Sequence, residues 1–293
     1  MFLQQPCGIK SSTGVKALKE HYVKLSELLK SVIEIAHESG QVILNIYQQG
    51  HFTKTVKSDN TPVTSADIAA HKLMIKRLSI LTPNIPVLSE EDTSVPFYLR
   101  KQWQRYWLVD PLDGTQEFIA GSGDFATIIA LVENNRPVMG VIYGPVSGVL
   151  YYATKGHGAW KIIATSEKIR LSTLKHSDTM LSFSIAISRR QDISAITERL
   201  DPRREYDLVP LGSAALKSCL VAEGTVDCYL SLGPTGEWDT AATQCIVEES
   251  GGCILDMTLS PLSYNERDSL KNPNFIVLGD TSLPWQEIVR LEL

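Results

Sequence analysis

The hexapeptide Asp110-Pro-Leu-Asp-Gly-Thr115 holds the densest chemistry in the chain. It follows the apolar run Tyr106-Trp-Leu-Val109, the pattern of a strand buried on both faces. Two carboxylates at the end of such a strand are costly. A pair about 4 Å apart repels by roughly 4 kcal/mol at an effective dielectric near 20. A divalent cation removes that cost, and hard oxygen donors suit Mg²⁺. Pro111 stiffens the turn so that both carboxylates, with the Leu112 carbonyl as a further donor, can face one point. Gly114 permits close backbone approach. Thr115 stands where a helix can begin and offer amide N–H groups to a phosphate. The plainer alternative is that Asp110 and Asp113 only terminate a strand and cap the next helix.

Three further acidic segments fit a metal site, and each also has a plain reading. Pro62-Val-Thr-Ser-Ala-Asp67 puts Asp67 in the first turn of a helix, where Thr64 and Asp67 also make a capping box. Ser89-Glu-Glu-Asp92 follows a strand signal and also suits a solvated loop. Glu237-Trp-Asp-Thr-Ala-Ala242 brings Asp239 to a helix start, where it also suits an N-cap. A rival chemistry, the covalent aspartyl-phosphate route of the haloacid-dehalogenase phosphatases, needs Asp-x-Asp-Gly-Thr. Pro111 stands at the nucleophile's position, so that route fails and attack by a metal-activated water remains.

These residues need elements to position them. Residues 1–14 read as a loose tail. Apolar positions from about Val15 to Gln48 recur at helical spacing, with Gly40 a candidate break and Gly50 the end. A loop carrying Lys54, Lys57 and Asp59 leads to a second helix from near Thr64, stopped by Pro83 and Pro86. Strand signals follow at Ile85–Ser89 and Tyr106–Val109, the latter ending at Asp110. Hairpins are expected over Phe125–Tyr143 and Gly148–Ile163. The second half alternates: strand Met180–Ile187, helix Ile193–Leu200, strand Tyr206–Pro210, helix Ala214–Glu223, strand Val226–Leu230 and helix Trp238–Glu249. Strands Cys253–Asp256 and Phe275–Leu278 close it. The expectation is an α+β unit over 15–165 with most of the ligands, and an α/β unit over 166–293 supplying Asp239.

Composition narrows the class. Apolar residues are 43% and charged residues 21% of 293, values of an ordinary folded chain rather than a disordered or fibrous one. With 28 Lys plus Arg against 33 Asp plus Glu, the net charge of −5 gives no general pull toward nucleic acid or anionic lipid. A phosphate ligand must therefore be held by something other than net charge. No apolar run reaches the length of a membrane span, and the first residues lack a secretory h-region. The five cysteines form no C-x-x-C pair, which fits a reduced, cytoplasmic protein.

Taken together and in order, the four acidic segments resemble the lithium-sensitive, magnesium-dependent sugar and nucleotide phosphatases related to inositol monophosphatase. The likeness covers roughly residues 25–280. Within that group the chain is similar to the bacterial 3′(2′),5′-bisphosphate nucleotidases, through Asn60-Thr-Pro-Val-Thr-Ser-Ala-Asp-Ile-Ala-Ala-His71, Pro86-Val-Leu-Ser-Glu-Glu-Asp92, Trp103–Thr115, Gly212-Ser213, Cys219–Gly224 and Trp238–Ala242. The resemblance implies a layered αβαβα sandwich and two or three Mg²⁺ ions. Glu90, Asp110 and the Leu112 carbonyl would hold one ion; Asp110, Asp113 and Asp239 would hold a second. Asp67 with Thr115, helped by Glu90, would orient and deprotonate the attacking water. The amides of Gly114 and Thr115 would bind the scissile phosphate, and Gly212 and Ser213 would border the nucleoside side. Glu90, Leu112, Asp113 and Asp239 would also contact substrate through the metal site.

The activity so implied converts 3′-phosphoadenosine 5′-phosphate to AMP and phosphate, recycling a by-product of sulfate activation and sulfotransfer. The partner would be a small phosphonucleotide, with no nucleic acid and no transmembrane segment; oligomeric state and peripheral contact with the inner membrane are left open. Three departures bear on the substrate. Gln116 stands where many of these nucleotidases carry Lys, Thr243 where Gly is usual, and Ser231 where a basic residue is expected. An inositol monophosphatase or broad sugar phosphatase remains the alternative with the same chemistry. A non-catalytic phosphonucleotide sensor is the alternative of another class.

Overall fold

The computed structural model describes residues 12–57, 61–163, 167–176 and 182–290, with side chains from Leu25 onward. The first part of the chain lays two helices on a sheet. Helix α1 (Ser12–Gln49) is followed by a short antiparallel ladder, β1 (Lys54–Val56) with β2 (Pro62–Thr64), and by α2 (Ser65–Leu81). Then come β3 (Val87–Ser89), α3 (Phe97–Arg100), β4 (Arg105–Asp113), α4 (Thr115–Ala120), β5 (Ala126–Glu133), β6 (Arg136–Gly144), β7 (Val149–Thr154), β8 (Ala159–Ile163) and β9 (Glu167–Arg170). Strands β3 to β9 form a seven-stranded sheet in sequence order. It is antiparallel except for the β3–β4 pair.

The second part builds a mixed sheet from β10 (Ser182–Ser188), β11 (Glu205–Leu211), β12 (Cys228–Ser231), β13 (Cys253–Asp256) and β14 (Phe275–Leu278), in the order β11-β10-β12-β14-β13. Its helices are α5 (Ile193–Thr197), α6 (Ala214–Ala222), α7 (Glu237–Glu249) and α8 (Trp285–Ile288).

Side-chain alternation along the strands explains the layers. In β4, Trp107 and Val109 join Val32, Ala36, Met74 and Leu78 of α1 and α2. Tyr106 and Leu108 point the other way, into a core shared with Ala215 and Cys219 of α6 and Ala241, Ala242 and Cys245 of α7. That same core takes Ala186, Tyr229 and Val277 from the second sheet. The opposite face of that sheet, with Phe183, Ile185 and Ile276, is covered by Ile196, Trp285 and Ile288 from α5 and α8. The order is helix, sheet, helix, sheet, helix: the αβαβα sandwich.

Several local expectations change. Gly40 does not interrupt α1. A Cβ there would stand 2.5 Å from the Tyr143 ring, so the glycine lets the helix settle onto β6. Strand β4 does not stop at Asp110. It runs to Asp113 with a bulge, because Asp110 pairs with Ile128 and Asp113 with Ala126. Three steps on β4 thus face two on β5, which turns residues of odd spacing toward the same side.

Part of the expected Lys54–Asp59 loop is the β1–β2 ladder; Asp59 lies outside the described residues, as do Asn60, Met180, residues 1–11 of the expected tail and position 165. The expected tail's residues 12–14 belong to α1. Sheet membership changes between Arg170 and Ser182. The short elements α3, β9 and α8 carried no periodic signal. The packing at Gly40 sets an expected outcome: Gly40→Leu overfills the α1–β6 contact and destabilises the fold by about 1–3 kcal/mol in denaturant titration. An unchanged midpoint would remove the close-packing role.

Candidate active site

The bulge in β4 puts Asp110 and Asp113 at one place, and the first turn of α7 brings Asp239 to them. Carboxylate oxygens of the three lie within 4.8 Å of one another. Each is held by the backbone around it. Asp110 Oδ1 accepts the Leu112 amide at 2.9 Å. Asp113 Oδ2 accepts the Ala215 amide at 2.9 Å and the Ser213 hydroxyl. Asp239 Oδ2 accepts the Gly236 amide at 2.5 Å, closing the start of α7. Asp110 and Asp113 are buried and Asp239 is half-buried. Burial, then the charges of Glu90, Asp239 and Asp113, push the Asp110 carboxyl well above the usual carboxylate range. Asp239 rises likewise, through burial and then Asp113 and Glu90.

Asp67 does two jobs at once. Its Oδ2 accepts the Thr64 amide at 2.8 Å and the Thr64 hydroxyl at 2.5 Å, making the capping box of α2. Its Oδ1 accepts the Thr115 hydroxyl at 3.0 Å. The same hydroxyl also lies 3.2 Å from the Leu112 carbonyl oxygen. Burial raises the Asp67 carboxyl, against hydrogen bonds from Thr64 and Thr115 that favour its charged form. Capping and site placement are therefore not alternatives for this residue.

Glu90 lines the same cleft, but its Oε1 accepts Lys57 Nζ at 2.8 Å, and the same ammonium reaches Glu91 at 2.7 Å. It stands outside the trio of mutually close oxygens. Burial works against the Lys57 charge, yet the two glutamates outweigh it and hold the ammonium above its ordinary range. Burial pushes Glu91 up to about 7.

The three carboxylates open onto a cleft of about 700 Å³, within the range of small-ligand sites. Leu112, Gly114, Thr115 and Gly212 line it. Gly114 has φ +93°, and a Cβ there would meet the Asp124 carbonyl at 2.9 Å. That left-handed turn needs glycine. Ser213 is fully buried, caps α6 and spends its hydroxyl on Asp113 rather than on the cleft.

Two groups in and behind the cleft escaped the sequence reading. Lys217 is buried; burial lowers it to about 8, against the raising charges of Asp113 and Asp239. Its signal was a lone cation in the apolar run Ala214–Ala222. Glu237, fully buried, accepts the Asn265 amide at 2.8 Å, and burial pushes it up to about 7. Asn265 in turn exchanges bonds with buried Arg100, 2.6 Å each way. This chain anchors the first turn of α7 and with it Asp239.

The donor set fits a hard divalent cation: crowded carboxylate oxygens, desolvated and pressing one another toward protonation. Residues 24–279 match the model of the inositol monophosphatase family. The chain belongs to the inositol monophosphatase family. Similar members of this family include 3′(2′),5′-bisphosphate nucleotidase CysQ of Aggregatibacter actinomycetemcomitans, 41% identical over 264 residues, 90% of this chain and 97% of that one. The protein of the same name from Escherichia coli K12 is 40% identical over 252 residues, 85% of this chain and 99% of that one. Among solved structures, CysQ from Bacteroides thetaiotaomicron superposes with a TM-score of 0.71 at 35% identity, covering 85% of this chain and 96% of that one. The Thermotoga maritima IMPase gives 0.72 at 25% identity, covering 86% and 92%. No helix among the described residues is long and apolar enough to cross a membrane.

Support behind a ligand sets metal affinity in such sites. Ser213→Ala removes the hydroxyl that fixes Asp113 and is expected to weaken divalent-metal binding about 10- to 100-fold. Metal titration of the thermal midpoint reads this; wild-type affinity in the variant would contradict the role given to Ser213.

Proposed function

We propose that this chain is a phosphoric monoester hydrolase that removes the 3′-phosphate of 3′-phosphoadenosine 5′-phosphate, consuming water and giving AMP and phosphate. The observation that carries the reading is the acidic trio at the wall of a ligand-sized cleft. The likeness to curated bisphosphate nucleotidases over most of both chains supports the substrate. In this reading the first unit, residues 15–165, supplies Asp67, Glu90, Asp110, Asp113 and Thr115, and the second, 166–293, supplies Asp239.

Asp110, Asp113 and Asp239, with Glu90 and the Leu112 carbonyl, would hold two or three Mg²⁺ ions. When bound, such ions supply the positive charge that offsets a phosphate dianion and make water more acidic. The rest falls to the chain's own groups. Thr115, donating its proton to Asp67 Oδ1, keeps hydroxyl lone pairs free to accept a hydrogen bond from the attacking water. Asp67, raised by burial, is suited to take up a proton at that oxygen. The Gly114 and Thr115 amides, at the cleft wall, orient the scissile phosphate, and Gly212 borders the nucleoside. Ser213 acts by holding Asp113. A reduced cytoplasmic setting goes with the free thiols of Cys219, Cys228, Cys245 and Cys253.

Removing one electrostatic contact to a developing charge costs about 10²–10³ in rate. Asp110→Ala and Asp113→Ala are expected to lose more than this in Mg²⁺-dependent phosphate release, since a metal goes with the side chain. Ordinary turnover in either variant would refute the assignment. Comparing 3′-phosphoadenosine 5′-phosphate with inositol 1-phosphate and fructose 1,6-bisphosphate tests the substrate. The reading expects the highest kcat/KM for the first, and preference for inositol 1-phosphate would overturn it.

A further inference from the structure

A nucleoside 3′,5′-bisphosphate brings two phosphates to the cleft and only one reacts. The other carries its negative charge into an acidic cleft and needs a cation away from the carboxylate trio. Among the residues lining the cleft, the cations are Lys217, Arg190 and Lys271. Gln116 and Ser231, also at the cleft wall, are uncharged.

Lys217 is already spent. Its ammonium lies 2.6 Å from the Gly212 carbonyl oxygen, 3.0 Å from that of Ser213 and 3.3 Å from that of Leu211. An ammonium has three N–H donors, and here all three have acceptors. Arg190 has its charge answered by a carboxylate: Nε donates to Glu117 Oε1 at 3.0 Å, and Nη2 donates to the Gln116 carbonyl at 3.3 Å. Lys271 differs. Its side chain is exposed and makes no ion pair or hydrogen bond among the described residues.

Its backbone, in contrast, is firmly placed. Lys271 forms a bridge with Gly236. On either side the Glu237 amide donates to Leu270 O at 2.8 Å and the Asn272 amide to Thr235 O at 2.9 Å. The Asn272 side chain adds a bond to Gly236 O at 2.6 Å. Gly236 is the residue whose amide holds Asp239. The root of the Lys271 side chain is therefore fixed relative to the acidic trio by the same turn that positions one of its members, while its charged end is free.

We propose that Lys271 binds the non-reacting phosphate of the substrate and so sets the preference for bisphosphorylated over monophosphorylated nucleotides. The inference rests on the bisphosphate nucleotidase reading above. A lysine suits the task, as a compact charge on a flexible stem that meets phosphate without fixed fork geometry.

The test compares kcat/KM for 3′-phosphoadenosine 5′-phosphate and for 3′-AMP, with Mg²⁺, in the wild type, Lys271→Ala and Lys271→Arg. In Lys271→Ala the ratio of the two is expected to fall about tenfold, carried by KM for the bisphosphate rather than kcat. Lys271→Arg, which keeps the charge, is expected to recover most of the ratio. A ratio unchanged in Lys271→Ala, or equal losses on both substrates, would overturn the role of Lys271 while leaving the enzyme reading intact. A wild type that releases no phosphate from the bisphosphate but turns over inositol 1-phosphate would overturn the reading and this inference together.

Discussion

Carboxylates crowded into a poorly solvated place are the constraint on which this structure turns. Asp110, Asp113 and Asp239 bring oxygens within 4.8 Å of one another, and the first two are buried. At that spacing their mutual repulsion is worth several kcal/mol at any dielectric suited to a protein interior. Lys57 answers Glu90 and Glu91, and Lys217, although its ammonium feels the charges of Asp113 and Asp239, donates its hydrogen bonds to backbone carbonyls. Elevated affinity for protons at Asp110 and Asp239 shows the same pressure. A divalent cation would relieve it, and the acids would then become the means by which a chain of net charge −5 could bind an anion.

The five layers exist in a form that holds this arrangement together. Asp110 and Asp113 come from the seven-stranded sheet, and Asp239 from the helical layer between the two sheets. The other helix of that layer, α6, grips Asp113 through Ser213 and Ala215. Behind α7, the buried set Glu237, Asn265 and Arg100 ties its first turn to α3. A site assembled across layers in this way is preorganised: the side chains that would meet a cation are fixed by hydrogen bonds formed on folding.

Much of this was legible in the chain because its signals are local. An apolar run ending in Asp-Pro-Leu-Asp-Gly-Thr, and helix starts carrying Asp67 and Asp239, need no knowledge of partners. The helical spacing of α1 and α2 was legible likewise, whereas the layers were implied by the family resemblance. What stayed hidden depends on pairing between distant segments. The bulge that turns Asp110 and Asp113 to one side is defined by register against Ile128 and Ala126. Gly40 looked like a helix break because its partner, the Tyr143 ring, is far away in sequence. Lys57 against Glu90, and Lys271 against Gly236, are contacts between irregular segments with no periodicity to betray them. For Asp67 the local reading was incomplete rather than misplaced, since one oxygen caps a helix while the other meets Thr115.

Anomalous diffraction from crystals grown with Mn²⁺, a hard cation that can replace Mg²⁺, addresses the core of this account most directly. It predicts a peak bounded by the carboxylates of Asp110, Asp113 and Asp239. Density without such a peak at saturating Mn²⁺, or with the ion lodged elsewhere in the molecule, would contradict it.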